Sequence, residues 1–331
     1  MPELPEVETV ARGLQGSVAG RRILSVTLRK TDFIDDPAAI ERELPGRQIA
    51  RVERFGKFML LRLASKNDAL GAVAEDRAAA SGATRPGAIA EALLVHLGMT
   101  GNLSPHQAEQ PLAKHTHVTF VLDDGSELRY TDPRRFGRMA YLAGETLAAE
   151  LLRFGAEPLL VSAEEFARRV RSSRARIKTL LLDQRVLRGV GNIYADESLW
   201  SARIHPARPG ASLKLAEVET LLKALQKILR RAIQMRGSSI SDFVDAEGVE
   251  GDYQQHHKAY GREGERCFRC GARIKRIIVA GRSSHFCPVC QRAPRRKSDS
   301  RAAASEKCAP RGVSGIRRKM KRWGRGRTSK R

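Results

Sequence analysis

The first six residues, Met1-Pro2-Glu3-Leu4-Pro5-Glu6, put a potential amine nucleophile beside two carboxylates. Methionine aminopeptidases remove an initiator Met that precedes a small residue such as Pro, and that cleavage leaves Pro2 with a free secondary amine. An α-amino group titrates near pH 8, about two units below a lysine, so a useful fraction is neutral and nucleophilic at pH 7. Pro5 suits the first turn of a helix, whose positive end favours the neutral amine further. Glu3 and Glu6 flank this amine, and Glu6 reads equally well as a helix-stabilising acid in a first turn.

A second chemical group lies near the other end. Cys267-Phe268-Arg269-Cys270 is followed after sixteen residues by Cys287-Pro288-Val289-Cys290. Two such knuckles bring four thiolates into a tetrahedron around zinc, with short β-hairpins as the frame. Four cysteine ligands leave no open coordination position, so the expected cofactor is one structural Zn2+ that holds shape and does no chemistry. Cys308 has no visible partner, and His256 and His257 read as surface polar residues rather than ligands.

Charge indicates the partner. The 331 residues carry a net +23, of which residues 292–331 hold +14 and the remainder +9. A basic tail alone is often just a solvated arm, but a body that stays basic without it favours nucleic acid. The length predicts several domains. No apolar run reaches the roughly 18 residues of a membrane span, and no signal peptide is visible, so a cytoplasmic protein is expected.

The elements that must position these groups read as an α+β chain. Val7, Val10, Ala11 and Leu14 fall on one face of a helix opening at Pro5. Strand-like runs follow, RILSVTL, QIARVER, KFMLLRL, ALLVHLGM, THVTFVL and ELRYT, the last two joined by a DDG turn. They predict a sheet or sandwich with a helix against it. Residues 65–91 contain nine alanines with Gly, Ser, Asp and Pro, and read as a flexible insertion at a hairpin tip. From about residue 145 the pattern turns helical. Ser212 is a candidate cap for a helix with Val218, Leu221, Leu222, Leu225, Ile228 and Leu229 on its apolar stripe, ended by Gly237. Before it, GVGN at 189–192 is either a helix–helix turn or a set of backbone amides able to hold a phosphate.

Taken in order, MPELPEVE, FGKF around Lys57, HLGMTG at 96–101, KHTHV at 114–118, YTDPRRFG at 130–137, GVGNIYADESL at 189–199 and the cysteine knuckles resemble the bacterial formamidopyrimidine-DNA glycosylase family. The resemblance covers residues 1–291. It implies an N-terminal catalytic β-sandwich domain over 1–144, a helix-two-turn-helix DNA-binding domain over 145–256, a zinc finger over 257–291 and a disordered basic tail over 292–331. Two departures stand out: the 65–91 insertion with the tail, and Thr116 where the family's KHDHV carries Asp.

The resemblance also implies roles. Pro2 attacks C1′ of a deoxyribose, expels an oxidised purine and leaves an iminium ion; the acidified C2′ proton then permits β-elimination. Glu3 acts as general acid and Glu6 as the second site carboxylate, while the Lys57 ammonium supports elimination. Arg282 of the finger contacts phosphates flanking the lesion and assists δ-elimination. Met99, Arg134 and Phe136 fill the hole left by a flipped nucleotide. His115, Arg134, Arg174 and Asn192 grip phosphates. The segment 237–254 corresponds to the loop that covers a flipped 8-oxoguanine, reading GSSISDF where the family often has GTTLxDF. The implied protein is a monomeric bifunctional glycosylase and lyase acting on double-stranded DNA. An endonuclease VIII-like enzyme for oxidised pyrimidines and a non-catalytic DNA-binding protein are the alternatives.

Overall fold

A computed structural model of the chain describes residues 1–64, 91–240 and 243–294. The insertion reading and the tail reading therefore lie outside the described residues, except for Glu91 and residues 292–294. Glu91 is no part of an insertion: it pairs with Leu63 and Ala143 as the first residue of a strand, and its carboxylate meets Arg47 at 2.7 Å.

The chain opens with α1 (Leu4–Val18), whose apolar stripe of Leu4, Val7, Val10, Ala11, Leu14 and Val18 is buried. Then come β1 (Ile23–Leu28), α2 (Pro37–Glu43), β2 (Ile49–Phe55), β3 (Phe58–Leu63), β4 (Glu91–His96), β5 (Asn102–Gln107), β6 (Thr116–Leu122), β7 (Ser126–Thr131) and β8 (Arg138–Ala143). They form two antiparallel four-stranded sheets, ordered β1-β6-β7-β5 and β2-β3-β4-β8. Period-two burial brings Leu61, Leu93, Val95 and Met139 of one sheet against Val118, Phe120, Leu128 and Tyr130 of the other, with α1 closing one end of this core. Fully burying each such side chain stabilises the fold by about 1.5–3 kcal/mol. The expected sandwich and its flanking helix are present, and the 123–125 turn joins β6 to β7 as its sequence predicts.

The helical part contains α3 (Gly144–Leu152), α4 (Ala163–Arg171), α5 (Ile177–Leu182), α6 (Asn192–Ser201) and α7 (Leu215–Gln234). Its core joins Phe166, Val170, Ile177, Leu181, Tyr194 and Leu199 to the α7 stripe, and Leu4 reaches into it from α1. Ser212 does not cap α7: its hydroxyl is spent on Pro209 O in the preceding turn, and Lys214 takes the cap position with its N–H on Glu217 Oε2. Gly237, with φ +81°, ends the helix by donating its N–H to Ala232 O. Arg54 of β2 pairs with Glu8 of α1 and with Glu157 between α3 and α4, which fastens the sandwich to the helices. The hairpin of β9 (Lys275–Val279) and β10 (Arg282–Phe286) completes the described chain.

Candidate active site

Glu3 is the N-cap of α1 and Glu6 lies in its first turn, yet both are buried. The Glu6 carboxylate reaches back to the Glu3 N–H (2.8 Å), the reciprocal bond of a helix N-terminus. Its other oxygen accepts from the Tyr194 hydroxyl (2.5 Å) and from the Ser238 N–H (2.7 Å). The Glu3 carboxylate crosses to the start of α6 and accepts from the N–H groups of Ile193 (2.9 Å) and Tyr194 (3.4 Å). The Gly189 N–H goes to Gln184, and the amides just after the GVGN turn, Ile193 and Tyr194, are thus taken by Glu3. This explains the glycine at 191: a Cβ there would stand 2.3 Å from Glu3 Cδ. Burial outweighs these donors and pushes the Glu3 carboxyl up to about 7, with Lys57 opposing and Glu6 adding to the rise. Burial raises Glu6 as well.

Glu6 lines an open pocket together with Met1, Pro2, Met99, Ile193, Ser238, Ile240 and Phe243. Pro2 is buried while Met1 is half exposed, so loss of Met1 would bare the proline nitrogen at the pocket. Lys57 lies in the β2–β3 turn, only 8% exposed; burial lowers its pKa, Glu3 and Glu6 raise it, and Arg282 lowers it again. That last influence brings the finger arginine, at the start of β10, into electrostatic range of the sandwich lysine.

The rim differs in character. Met99 is 40% and Phe136 57% exposed, and the Arg134 guanidinium stacks 4.7 Å from the Phe136 ring. Both turns hang on the buried carboxylate of Asp132, which accepts from the Thr100 and Tyr130 hydroxyls and from the N–H groups of Arg134 and Gly137. His115 is half-buried beside this carboxylate's own turn, its carbonyl accepting the Asp132 N–H. Thr116, the departure from KHDHV, is buried and shares a hydroxyl hydrogen bond with Thr131 across the β6–β7 pair. Arg174 stands exposed in the link between α4 and α5. Asn192 opens α6 and donates to Ser283 Oγ of the finger (3.3 Å).

The four knuckle cysteines are unbridged, with their Sγ atoms within 4.8 Å of one another. A tetrahedral zinc–thiolate site spaces its sulfurs about 3.8 Å apart, and Cys270 Sγ and Cys287 Sγ are 3.4 Å apart. The donor set and spacing fit one structural zinc. The finger is fastened to α6 by buried charge. Asp196 accepts from Lys178 Nζ (2.6 Å) and from His285 N–H (2.9 Å), and Lys178 also donates to Ser283 O (2.6 Å). Glu197 accepts the N–H groups of Lys258, Ala259 and Tyr260. The 189–199 motif contains Tyr194, Asp196 and Glu197, but its sequence assigns them no role. Their partners lie far away in sequence, so no local spacing marks them. His257 is a correction: it is buried, with Nε2 3.1 Å from Ser238 Oγ, because the turn before the finger folds under the 238 segment.

Residues 1–139 match the formamidopyrimidine-DNA glycosylase N-terminal domain, 154–244 the H2TH domain of the same enzymes, and 264–293 a zinc finger found in FPG and IleRS. The chain is 42% identical over 296 residues to the formamidopyrimidine-DNA glycosylase of Herpetosiphon aurantiacus and 41% over 294 residues to that of Solibacter usitatus. In both, 88% of this chain spans the whole relative. Among solved structures, the Lactococcus lactis enzyme in complex with abasic-site DNA has a TM-score of 0.76 at 32% identity, covering 88% of this chain and all of that one. The same enzyme with an oxidised-pyrimidine DNA gives 0.75 at the same identity and coverage. The fold and the site thus define a DNA glycosylase of the helix-two-turn-helix class. The chain belongs to the formamidopyrimidine-DNA glycosylase family.

Proposed function

We propose that this enzyme excises oxidised purines, 8-oxoguanine and formamidopyrimidines, from duplex DNA and then cuts the strand at the emptied site. The carrying observation is Glu3, a buried carboxyl pushed up to about 7 with Lys57 in electrostatic range, next in sequence to Pro2, which lines the pocket together with Glu6. A DNA-binding protein without catalysis needs no such grouping of Pro2, Glu3 and Lys57. In the proposed reaction the lone pair of the Pro2 nitrogen forms a bond to C1′ and the glycosidic bond breaks, its electron pair leaving with the base. The Pro2 nitrogen then gives up its proton, and Glu3 supplies a proton to the ring oxygen O4′ as the C1′–O4′ bond breaks, or to the leaving base, so that the nitrogen lone pair closes the C1′=N+ bond of an iminium ion. The resulting iminium ion accepts the electrons released when the C2′ proton departs, and the C3′–O bond breaks in β-elimination. Lys57 offsets the phosphate charge during that step. Loss of the C4′ proton, with Arg282 near the 5′ side, breaks the C5′–O bond in δ-elimination, and water finally hydrolyses the imine to free Pro2.

The structural zinc holds the finger that carries Arg282, through Cys267, Cys270, Cys287 and Cys290. In the same reading Met99, Arg134 and Phe136 occupy the gap in the duplex; their exposure on one rim supports this. His115, Arg174 and Asn192 hold phosphates. The working parts divide as 1–144, 145–256, 257–291 and 292–331, and the enzyme acts as a cytoplasmic, nucleoid-associated monomer. Among the described residues no helix is long and apolar enough to cross a membrane.

The test is single-turnover cleavage of duplexes carrying 8-oxoguanine, a formamidopyrimidine or an oxidised pyrimidine. Fastest release of the purine lesions with strand scission is expected. Faster release of the pyrimidine would move the enzyme to the endonuclease VIII-like reading, and binding without base release would reject catalysis.

A further inference from the structure

Glu6 is held by groups that come from three parts of the chain: Glu3 N–H, the Tyr194 hydroxyl and Ser238 N–H. Two of these donors are anchored by their own elements, Glu3 in α1 and Tyr194 in α6. Ser238 is different. It follows Gly237, which has φ +81° and lies so close to Glu6 that a Cβ would stand 2.7 Å from Oε1. After it the chain leaves helical geometry, and Ile240 and Phe243 line the pocket. Something must fix this segment against the carboxylate.

The Ser238 backbone is bridged to Asp252, Gly237 O accepts the Tyr253 N–H, and the Ser239 N–H donates to Gln254 Oε1; the Ser238 side chain is held by His257. Its Nε2 lies 3.1 Å from Ser238 Oγ, and both residues are buried. The imidazole is wedged between aromatic rings, with Tyr253 at 5.8 Å and Tyr260 at 5.6 Å between centroids, so its orientation is set by packing. Ser238 Oγ also approaches the Tyr194 hydroxyl at 3.5 Å, which joins His257, Ser238, Tyr194 and Glu6 in one polar cluster. The charged groups near this cluster are Glu6 on α1, Glu197 on α6, Arg231 on α7, which meets His256, and His256 itself. Burial and the neighbouring His256 push His257 down to about 4, so it is a neutral hydrogen-bonding group at working pH.

We propose that His257 is a positioning residue for the glycosylase reaction: by holding the Ser238 hydroxyl it keeps the Ser238 N–H on Glu6 and fixes the pocket wall that begins there. The inference rests on the reading of Glu6 as part of the reacting site. His257 touches neither substrate nor reacting atoms; it works through Ser238, as the outer partners of a catalytic group orient it. Leu in its place keeps much of the volume and loses the bond. Gln keeps a polar atom near the position of Nε2.

The experiment measures single-turnover base release at saturating enzyme, and affinity for an undamaged duplex, for wild type, His257→Leu, His257→Gln, Ser238→Ala and the Ser238→Ala/His257→Leu double variant. His257→Leu is expected to slow base release by about tenfold, the effect of losing one buried hydrogen bond, with undamaged-duplex affinity unchanged. His257→Gln should stay within about threefold of wild type. The double variant should be no slower than Ser238→Ala, since residues that act through one bond are not additive. Hydrogen exchange supplies a readout apart from activity: the Ser238 amide should exchange faster in His257→Leu than in His257→Gln. A wild-type rate for His257→Leu, an additive double variant, or equal Ser238 exchange in the Leu and Gln variants would overturn the proposal. Wild-type protein that releases no base would instead reject the reading of the site itself.

Discussion

Two pairs of buried acids, Glu3 with Glu6 and Asp196 with Glu197, have the same chemistry, and the proposed mechanism gives them opposite uses. Asp196 meets the Lys178 ammonium directly, and Glu197 is saturated by three backbone N–H groups, so neither has capacity left for a substrate. Glu3 and Glu6 hold only neutral donors, and their cation, Lys57, acts on them through space. A raised pKa does not separate the pairs, because burial raises Glu197 too. What separates them is the pocket beside Pro2 and Glu6. In the proposed mechanism, a buried acid is a structural tie where its partners close around it, and a reactive group where, as beside Glu6, a pocket opens.

The contrast is broken most sharply by neutralising one acid of each kind. Glu3→Gln should slow base release by about 10²–10⁴-fold, the usual worth of a positioned general acid, while undamaged-duplex binding remains. Asp196→Ala should act on the fold instead. It leaves the Lys178 ammonium buried and unpaired, at a cost of about 3–5 kcal/mol, visible in urea unfolding and in loss of zinc to a chelator. Lesion excision lost in Asp196→Ala with stability intact would erase the distinction.

Stability against pH sharpens it further. A carboxyl raised from 4.5 to about 7 makes the folded protein bind more protons than the unfolded chain between those values. Its contribution is therefore fully present below about pH 4.5 and is lost as pH rises through about 7. Glu3→Gln carries no such dependence, so unfolding free energies of the two proteins should diverge in favour of the variant across that window. Parallel curves would place the Glu3 pKa near its ordinary value.

The smallest effect is expected from the basic extension. In the curated relatives the whole chain is spanned by 88% of this one, and the finger match ends at residue 293. Each phosphate neutralised by residues 292–331 adds about 0.9 to the slope of log affinity against log salt. Ending the chain at Gln291 should lower undamaged-duplex affinity and flatten that slope, with single-turnover chemistry unchanged. Gln291 itself must stay, since its side chain bonds Cys287 N–H and Ile204 O. An unaltered slope would show that the extension leaves DNA untouched.

The sequence exposes the reactive pair and hides the structural one for a physical reason. Pro2, Glu3 and Glu6 are close in sequence and unusual for a chain start, and the cysteine knuckles carry their own spacing. Asp196 and Glu197 look like ordinary helix acids until residues 60 to 90 positions away close on them. The role of Gly191 is equally hidden, because Glu3 comes to it from the other end of the chain. Two strands, β5 and β8, are absent from the runs legible in the sequence; in β5 Pro105 and polar residues interrupt any alternation, and at a sheet edge the missing N–H costs no ladder bond. His257 has no flanking pattern, and only the fold of the 238 segment over it reveals its burial.

The central claim, that Pro2 is the nucleophile served by the open acid pair, is tested most directly by borohydride reduction during cleavage of an 8-oxoguanine duplex, followed by mapping of the protein–DNA adduct. The expected result is an adduct on the peptide that begins at Pro2, nearly absent from Pro2→Gly although that variant still binds the duplex. An adduct on Lys57, or undiminished trapping in Pro2→Gly, would contradict it.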